Sequence, residues 1–140
     1  MNRWILKTDS DVYPFDKLEQ ERRAVWDGVS NPVALRHLRS MAPGDPLLIY
    51  HSGKTKEIVG LARVVSEAYP DPKRNDPKLV VVDVEAHRRL PRPVSLATIK
   101  ADPFFADLAL VRQPRLSVIP VSGQQWDRLL QLAAADPVRL

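Results

Sequence analysis

Apolar and polar positions along this chain change period several times, and each change marks an element. The run RWILKT (3–8) is nearly continuously apolar and reads as a short strand buried on at least one face. Asp9-Ser10-Asp11 supplies turn chemistry. Pro14 opens a helical piece, PFDKLEQER, because proline's fixed φ suits a first helical turn. Residues 24–29 carry few helix signals and read as a connection. Asn31 then offers an N-cap and Pro32 a first helical residue for PVALRHLRSM. That spacing turns Val33, Leu35, Leu38 and Met41 inward and sets Arg36 and Arg39 on an outer face. Pro43-Gly44-Asp45 ends it.

The pattern then becomes that of strands. LLIYH (47–51), a hairpin loop at 52–56 and a long strand at 57–68 follow in turn. Gly60 inside the long strand predicts a bulge or a close approach. Residues 69–78, rich in Pro, Asp and basic groups, read as a surface loop, and LVVVDVEAH (79–87) as a further strand. LPRPVSL is extended, as its paired prolines dictate. Ser95 caps a short helix, Pro103 starts another, and RLSVIPV (115–121) is a last strand. Ser122 caps a final amphipathic helix whose Trp126, Leu129, Leu130 and Ala133 share one face, and the tail DPVRL is expected to fray. About five strands with short central links predict an α+β fold, a small curled sheet or open barrel, mostly antiparallel or mixed, flanked by helices.

Length and composition narrow the class. A chain of 140 residues predicts one domain, 1–140, with a single modest core. The absence of Cys removes disulfides and thiolate metal sites and fits a reducing compartment. MNRWILKTD lacks a signal-peptide core and no run approaches about 18 apolar residues, so the expectation is a cytoplasmic protein with no membrane partner. The net charge is +4, and Arg outnumbers Lys two to one. Guanidinium forks suit phosphates and stack on bases, so a polyanion partner fits; a solvated Arg-rich surface fits as well. No phosphate-cradling glycine loop and no nucleophile elbow are present. His37, His51 and His87 lack ligand spacing, so neither metal nor cofactor is implied.

Candidate chemistry gathers at three places. Trp26 stands beside Asp27-Gly28 just ahead of the Asn31 helix start, where a flat ring can stack a planar group against backbone donors. Trp4 and Trp126 read as core instead. Lys7-Thr8 ends the first strand and either points into a cleft or turns to solvent. Tyr50-His51-Ser52 ends another strand and forms a polar wall or an ordinary strand end. Lys54, Lys56, Lys73 and Arg74 lie in two loops, where they meet phosphates or only water.

Taken in order, WILKTDSDVYPFDKL, VWDGVSNPVALRHLRSM, GDPLLIYHSG, IVGLARVVSEAYPDP, VDVEAHRRLPRPVSL and LVRQPRLSVIPVSGQQWDRLL resemble the EVE domain, over roughly residues 3–132. That family belongs to the PUA-like superfamily, with YTH and ASCH domains as relatives. The resemblance implies a PUA-like curled mixed sheet or pseudo-barrel of about five to six strands flanked by helices. It implies base-binding roles for Lys7, Thr8, Trp26, Gly28, Val29, Asn31, His51 and Ser52. Two departures stand out: Asp9-Ser10 replaces the family's usual Glu-Pro, and Ser30 replaces its usual Arg. The segment after YPDP is also shorter than in many relatives.

The implied activity is non-catalytic binding of a modified nucleobase, modified cytosine favoured, in DNA or RNA. The base would insert beside Trp26, with Lys54, Lys56, Lys73 and Arg74 on the phosphates. A separately encoded effector protein is a further partner on this reading. The alternative resembles the ASCH domains: a small amidohydrolase acting on an acylated nucleoside through Lys7, Thr8 and Asp9, with Glu57 or Glu67 as a carboxylate partner. Against it, side chains alternate along a strand, so three adjacent residues do not all face one pocket.

Overall fold

Three consecutive apolar residues, Trp4, Ile5 and Leu6, explain why the first strand is internal: both of its faces are covered. In a computed structural model describing residues 1–135, β1 (Arg3–Asp9) lies between β3 (Pro46–Ser52), parallel to it, and β7 (Val118–Val121), antiparallel. The tail 136–140, expected to fray, lies outside the described residues. β4 (Glu57–Val64) returns antiparallel on β3, and β6 (Val80–Ser95) on β4. A short β2 (Arg23–Trp26) pairs with β6, as does the two-residue β5 (Tyr69–Pro70).

The sheet therefore has seven strands in the order β2-β6-β4-β3-β1-β7, with β5 set beside β6. The mixed sheet and the α+β class follow the sequence pattern. The curled pseudo-barrel does not. Closure requires the two outermost strands to pair, and β2 and β7 share no ladder, so the sheet is open with two short edges. The strand count also exceeds five to six, because β2 lies in the segment read as a connection and β5 in the one read as a loop.

Local rules hold where capping groups are adjacent in sequence. Asn31 Oδ1 accepts from the backbone N–H groups of Val33 and Ala34 at the start of α2 (Pro32–Ser40). Ser95 caps α3 (Leu96–Ala101), and Ser122 caps α5 (Gly123–Leu132), whose Trp126, Leu129, Leu130 and Ala133 are buried. Pro103 starts only a 3-10 turn, Pro103–Phe105; the next helix, α4, is the single turn Ala109–Arg112. Buried Asp45 closes the turn after α2, accepting from the Trp4 indole N–H and the Ala42 N–H, each at 3.1 Å.

One interlock fixes α1 (Phe15–Glu21) to the sheet. Gly60 sits at a register shift of β4 on β6, and a Cβ there would lie 2.4 Å from Phe15 Cζ. Gly60 thus leaves the notch that the fully buried Phe15 ring fills; the bulge and the close approach both occur. The Arg89 guanidinium lies over that ring, 5.4 Å from its centroid. His51 adds a polar pin: its Nε2 accepts from the Phe15 N–H at 2.9 Å.

Burial and the nearby Arg89 guanidinium push the His51 pKa below its ordinary value. The unfolded chain therefore binds a proton first as pH falls through about 6.5. Stability is full above that pH and is lost below it until folded His51 protonates too. His37 and His87 are also lowered, chiefly by burial, and act in the same direction. We expect the urea midpoint to fall between about pH 7 and 5. His51→Ala should lower stability at pH 7 by about 1–3 kcal/mol, through the stranded Phe15 N–H, and flatten that fall. An unchanged slope in the variant would remove His51 from this role.

Candidate functional site

Two short elements wall a cavity with a volume of about 890 Å³. One wall is the end of β1, with Lys7 and Thr8; the other is β2 and the turn after it, from Arg23 to Val29. Val12, Tyr13, Glu21, Lys73 and Ser117 complete it. The volume lies within the range of small-molecule and cofactor sites, about 300–1,000 Å³.

β2 reaches the cavity because of how α1 ends. Arg22 adopts φ 69°, ψ −44°, close to a γ-turn, and its N–H donates to Leu18 O at 2.8 Å. That sharp turn sends the chain directly into β2. The Arg22 carbonyl then accepts from the Ala86 N–H at 2.8 Å. In an antiparallel ladder bonded and non-bonded pairs alternate, so Arg23 and Val25 direct their backbone N–H and C=O groups to the free edge. The cavity therefore has unpaired main-chain donors and acceptors along one side. Gly28 closes the turn with φ 81°, a conformation that β-carbon-bearing residues rarely adopt.

Trp26 is buried, 7% exposed, yet contributes to the cavity wall. Tyr13 stands edge-on to it, with ring centroids 6.2 Å apart and planes at 81°. The Tyr13 hydroxyl donates to Glu21 Oε1 at 2.5 Å. Burial, that bond and the charges of Glu21 and Asp27 raise the Tyr13 pKa well above its ordinary value, so the phenol keeps its proton. Lys7 donates to Pro114 O at 2.8 Å and lies 5.7 Å from the Tyr50 ring centroid. Burial lowers its pKa.

Of the twelve sequence-predicted site residues, the structure brings together Lys7, Thr8, Trp26, Gly28, Val29 and Lys73. The others stand elsewhere. Asn31 caps α2 and belongs to a neighbouring depression with Arg115 and Leu116. His51 is committed to Phe15, and Ser52 continues the β3 ladder opposite Asp9. Lys54 is exposed, 4.0 Å from Asp11, and Lys56 sits at φ 51° in the hairpin turn; neither lines the cavity. Arg74 is a bracket: its Nε donates to Asp71 at 2.9 Å and its Nη2 to Val29 O at 3.2 Å. It therefore holds the cavity's Val29 turn against the 69–78 segment.

The residues that sequence reasoning missed are Val12, Tyr13, Glu21, Asp27, Ser117 and the β2 stretch Arg23–Val25. RAVW is too short, and too mixed in exposure, for alternation to reveal a strand. Tyr13 directly before Pro14 was the available signal, an aromatic at a helix entrance.

The hydrolase constellation comes apart. Thr8 Oγ1 donates to the Tyr13 carbonyl at 2.8 Å. Asp9 leaves the cavity: its Oδ1 accepts from the Asp11 N–H at 2.8 Å, and its carboxylate lies beside Gly53. Neither Glu57 nor Glu67 lines the cavity. Among the described residues, no group of three or more His, Cys, Asp or Glu is placed to hold a metal. No described helix is long and apolar enough to cross a membrane.

Comparison with known proteins places this geometry in context. A family model described as EVE domain matches residues 2–132. Mouse thymocyte nuclear protein 1 is 34% identical over 145 residues, which cover 86% of this chain and 64% of that protein. The chain thus spans less than two thirds of that relative's length. A solved structure from Rhodopseudomonas palustris is 38% identical, with TM-score 0.91, covering 96% of this chain and 94% of the other. The human THYN1 protein, solved in complex with 5-methylcytosine-containing DNA, is 27% identical, with TM-score 0.86, covering 98% of this chain and 100% of that one. An ASCH protein from Zymomonas mobilis shares the fold alone, at 11% identity and TM-score 0.60.

Proposed function

The chain belongs to the EVE domain family, and from that premise we propose that it binds a modified cytosine in DNA without transforming it. One base leaves its stack and enters the cavity beside Trp26, as base-flipping proteins require. The carrying observation is the wall itself: an indole, a tyrosine edge-on to it and the free backbone edge of β2 around one cavity. The indole supplies sequence-tolerant stacking, and the free N–H and C=O groups supply hydrogen bonds to a base edge. The human relative's complex with 5-methylcytosine DNA supports cytosine as the base.

Lys73, on the cavity rim, serves the adjacent phosphate. Arg74, bound to Asp71 and to Val29 O, shapes the pocket instead. The test is a titration of short oligonucleotides carrying one cytosine or one 5-methylcytosine, at several salt concentrations. A buried methyl contributes about 1 kcal/mol, so the modified strand should bind severalfold more tightly. Lys73→Ala should reduce the salt slope by about 0.7–0.9, one phosphate's share. Arg74→Ala should leave the slope unchanged and shrink the preference for the methyl group. Equal affinity for both oligonucleotides would reject the reading.

A further inference from the structure

A reader of 5-methylcytosine faces a harder competitor than cytosine. Thymine carries the same methyl group at the same ring position, so apolar contact and stacking treat the two alike. The difference lies at ring position 4, where cytosine has an amino donor and thymine a carbonyl acceptor. A pocket that separates them needs a fixed acceptor there.

We infer that Glu21 is that acceptor, the residue that makes this pocket select an amino-pyrimidine over thymine. The inference rests on the base-binding reading above. Glu21 ends α1 and lines the cavity. Its Oε1 is held by the Tyr13 hydroxyl at 2.5 Å, and Tyr13 is in turn set edge-on against Trp26. The carboxylate is therefore aligned by the ring system on which a base would stack. No ion pair reaches it among the described residues. Arg23, which lines the same cavity, is paired with Glu85, and Arg89 with Asp16 and Glu19.

An ionised carboxylate is acceptor-only, with lone pairs left after one hydroxyl is bound. It accepts from the exocyclic amine of cytosine. It presents lone pairs to the O4 of thymine, a contact that leaves both acceptors without a donor. The cytosine ring's remaining acceptors, N3 and O2, need donors, and the Lys7 ammonium and the free N–H groups of the β2 edge line the same cavity. The phenol fixes the carboxylate's direction, so Tyr13 is a positioning residue.

The experiment compares single-stranded oligonucleotides differing at one position, 5-methylcytosine or thymine, on the full chain and on Glu21→Gln, Tyr13→Phe, Trp26→Phe and Trp26→Ala variants, the last reading the dependence on Trp26. The wild type should prefer 5-methylcytosine by about tenfold or more, the range of one good base-edge contact. Glu21→Gln should cut that ratio severalfold and raise thymine binding, because a carboxamide can turn its NH2 toward O4. Tyr13→Phe should lower the ratio in part while keeping the carboxylate. Glu21 is on the surface, and a thermal melt confirms that each variant folds. A Glu21→Gln protein with the wild-type ratio overturns the assignment while the pocket reading stands, provided binding still depends on Trp26. Trp26-dependent wild-type binding of equal strength to both bases does the same. Absence of any Trp26-dependent binding overturns both readings.

Discussion

Trp26→Ala should abolish most base-dependent binding and leave a weak, strongly salt-dependent residue of affinity. Stacking of a base on an aromatic contributes about 1–3 kcal/mol by alanine substitution. The loss is thus roughly 5- to 150-fold at constant salt. What remains is attraction between the chain's positive charge and the phosphates, which does not distinguish bases. Trp26 also carries packing, being 7% exposed and in edge-on contact with Tyr13. Its truncation therefore lowers stability as well, by up to about 3–5 kcal/mol where a large aromatic is fully enclosed. Trp26→Phe separates the two effects, since it keeps a stacking face and most of the volume. Affinity should fall in the order wild type, Phe, Ala, with the melting temperature of the Phe variant close to that of the wild type. Anisotropy titrations alongside thermal melts read both quantities. A folded Ala variant with full preference for the modified base would end the stacking mechanism.

Gly60→Ala should be among the most destabilising single-methyl additions available to this fold. The new Cβ would stand 2.4–2.6 Å from three atoms of the Phe15 ring, well inside the optimum separation of about 3.5–4.0 Å. Phe15 cannot swing aside: it is fully buried under α1, with its N–H held by His51 and Arg89 over its ring. Overpacking of this kind costs about 1–3 kcal/mol, occasionally more. The displaced element would be α1, which carries Glu21 and begins two residues after Tyr13, so base selectivity should suffer although Gly60 lines no part of the cavity. Urea denaturation of Gly60→Ala, Phe15→Leu and the double variant tests the interlock. The double variant should be more stable than the sum of the two single losses predicts, because each change relieves the other. Strict additivity would mean that ring and notch do not oppose one another.

The success and failure of sequence reasoning follow the range of the interactions involved. Asn31, Ser95 and Ser122 were legible as caps because a cap and its N–H partners are two or three residues apart. Trp26, Lys7 and Thr8 were legible as pocket residues through family resemblance, and the cavity does gather them. His51 and Ser52 share that resemblance, yet His51 turns to the backbone of Phe15, 36 residues away in sequence. Arg74 looked like a phosphate contact because a loop arginine usually faces solvent. Its carbonyl partner Val29, 45 residues earlier, is invisible in a linear reading. The pseudo-barrel expectation failed for a related reason: closure depends on whether β2 and β7 pair, and each four-residue strand has its one partner elsewhere.

The amino-acid sequence by itself determined the class of the fold, most strands and helices, the buried faces and the presence of an aromatic beside a glycine turn. Those features depend on periodicity, capping and turn chemistry, which act over a few residues. Tertiary structure alone decided that β2 is a strand with a free edge facing a cavity. It alone placed Tyr13 and Glu21 beside Trp26 and assigned His51 and Arg74 to holding the site in place. Each of these contacts joins residues from different elements, and their geometry is set by strand order and by the Phe15–Gly60 interlock, which no local pattern encodes.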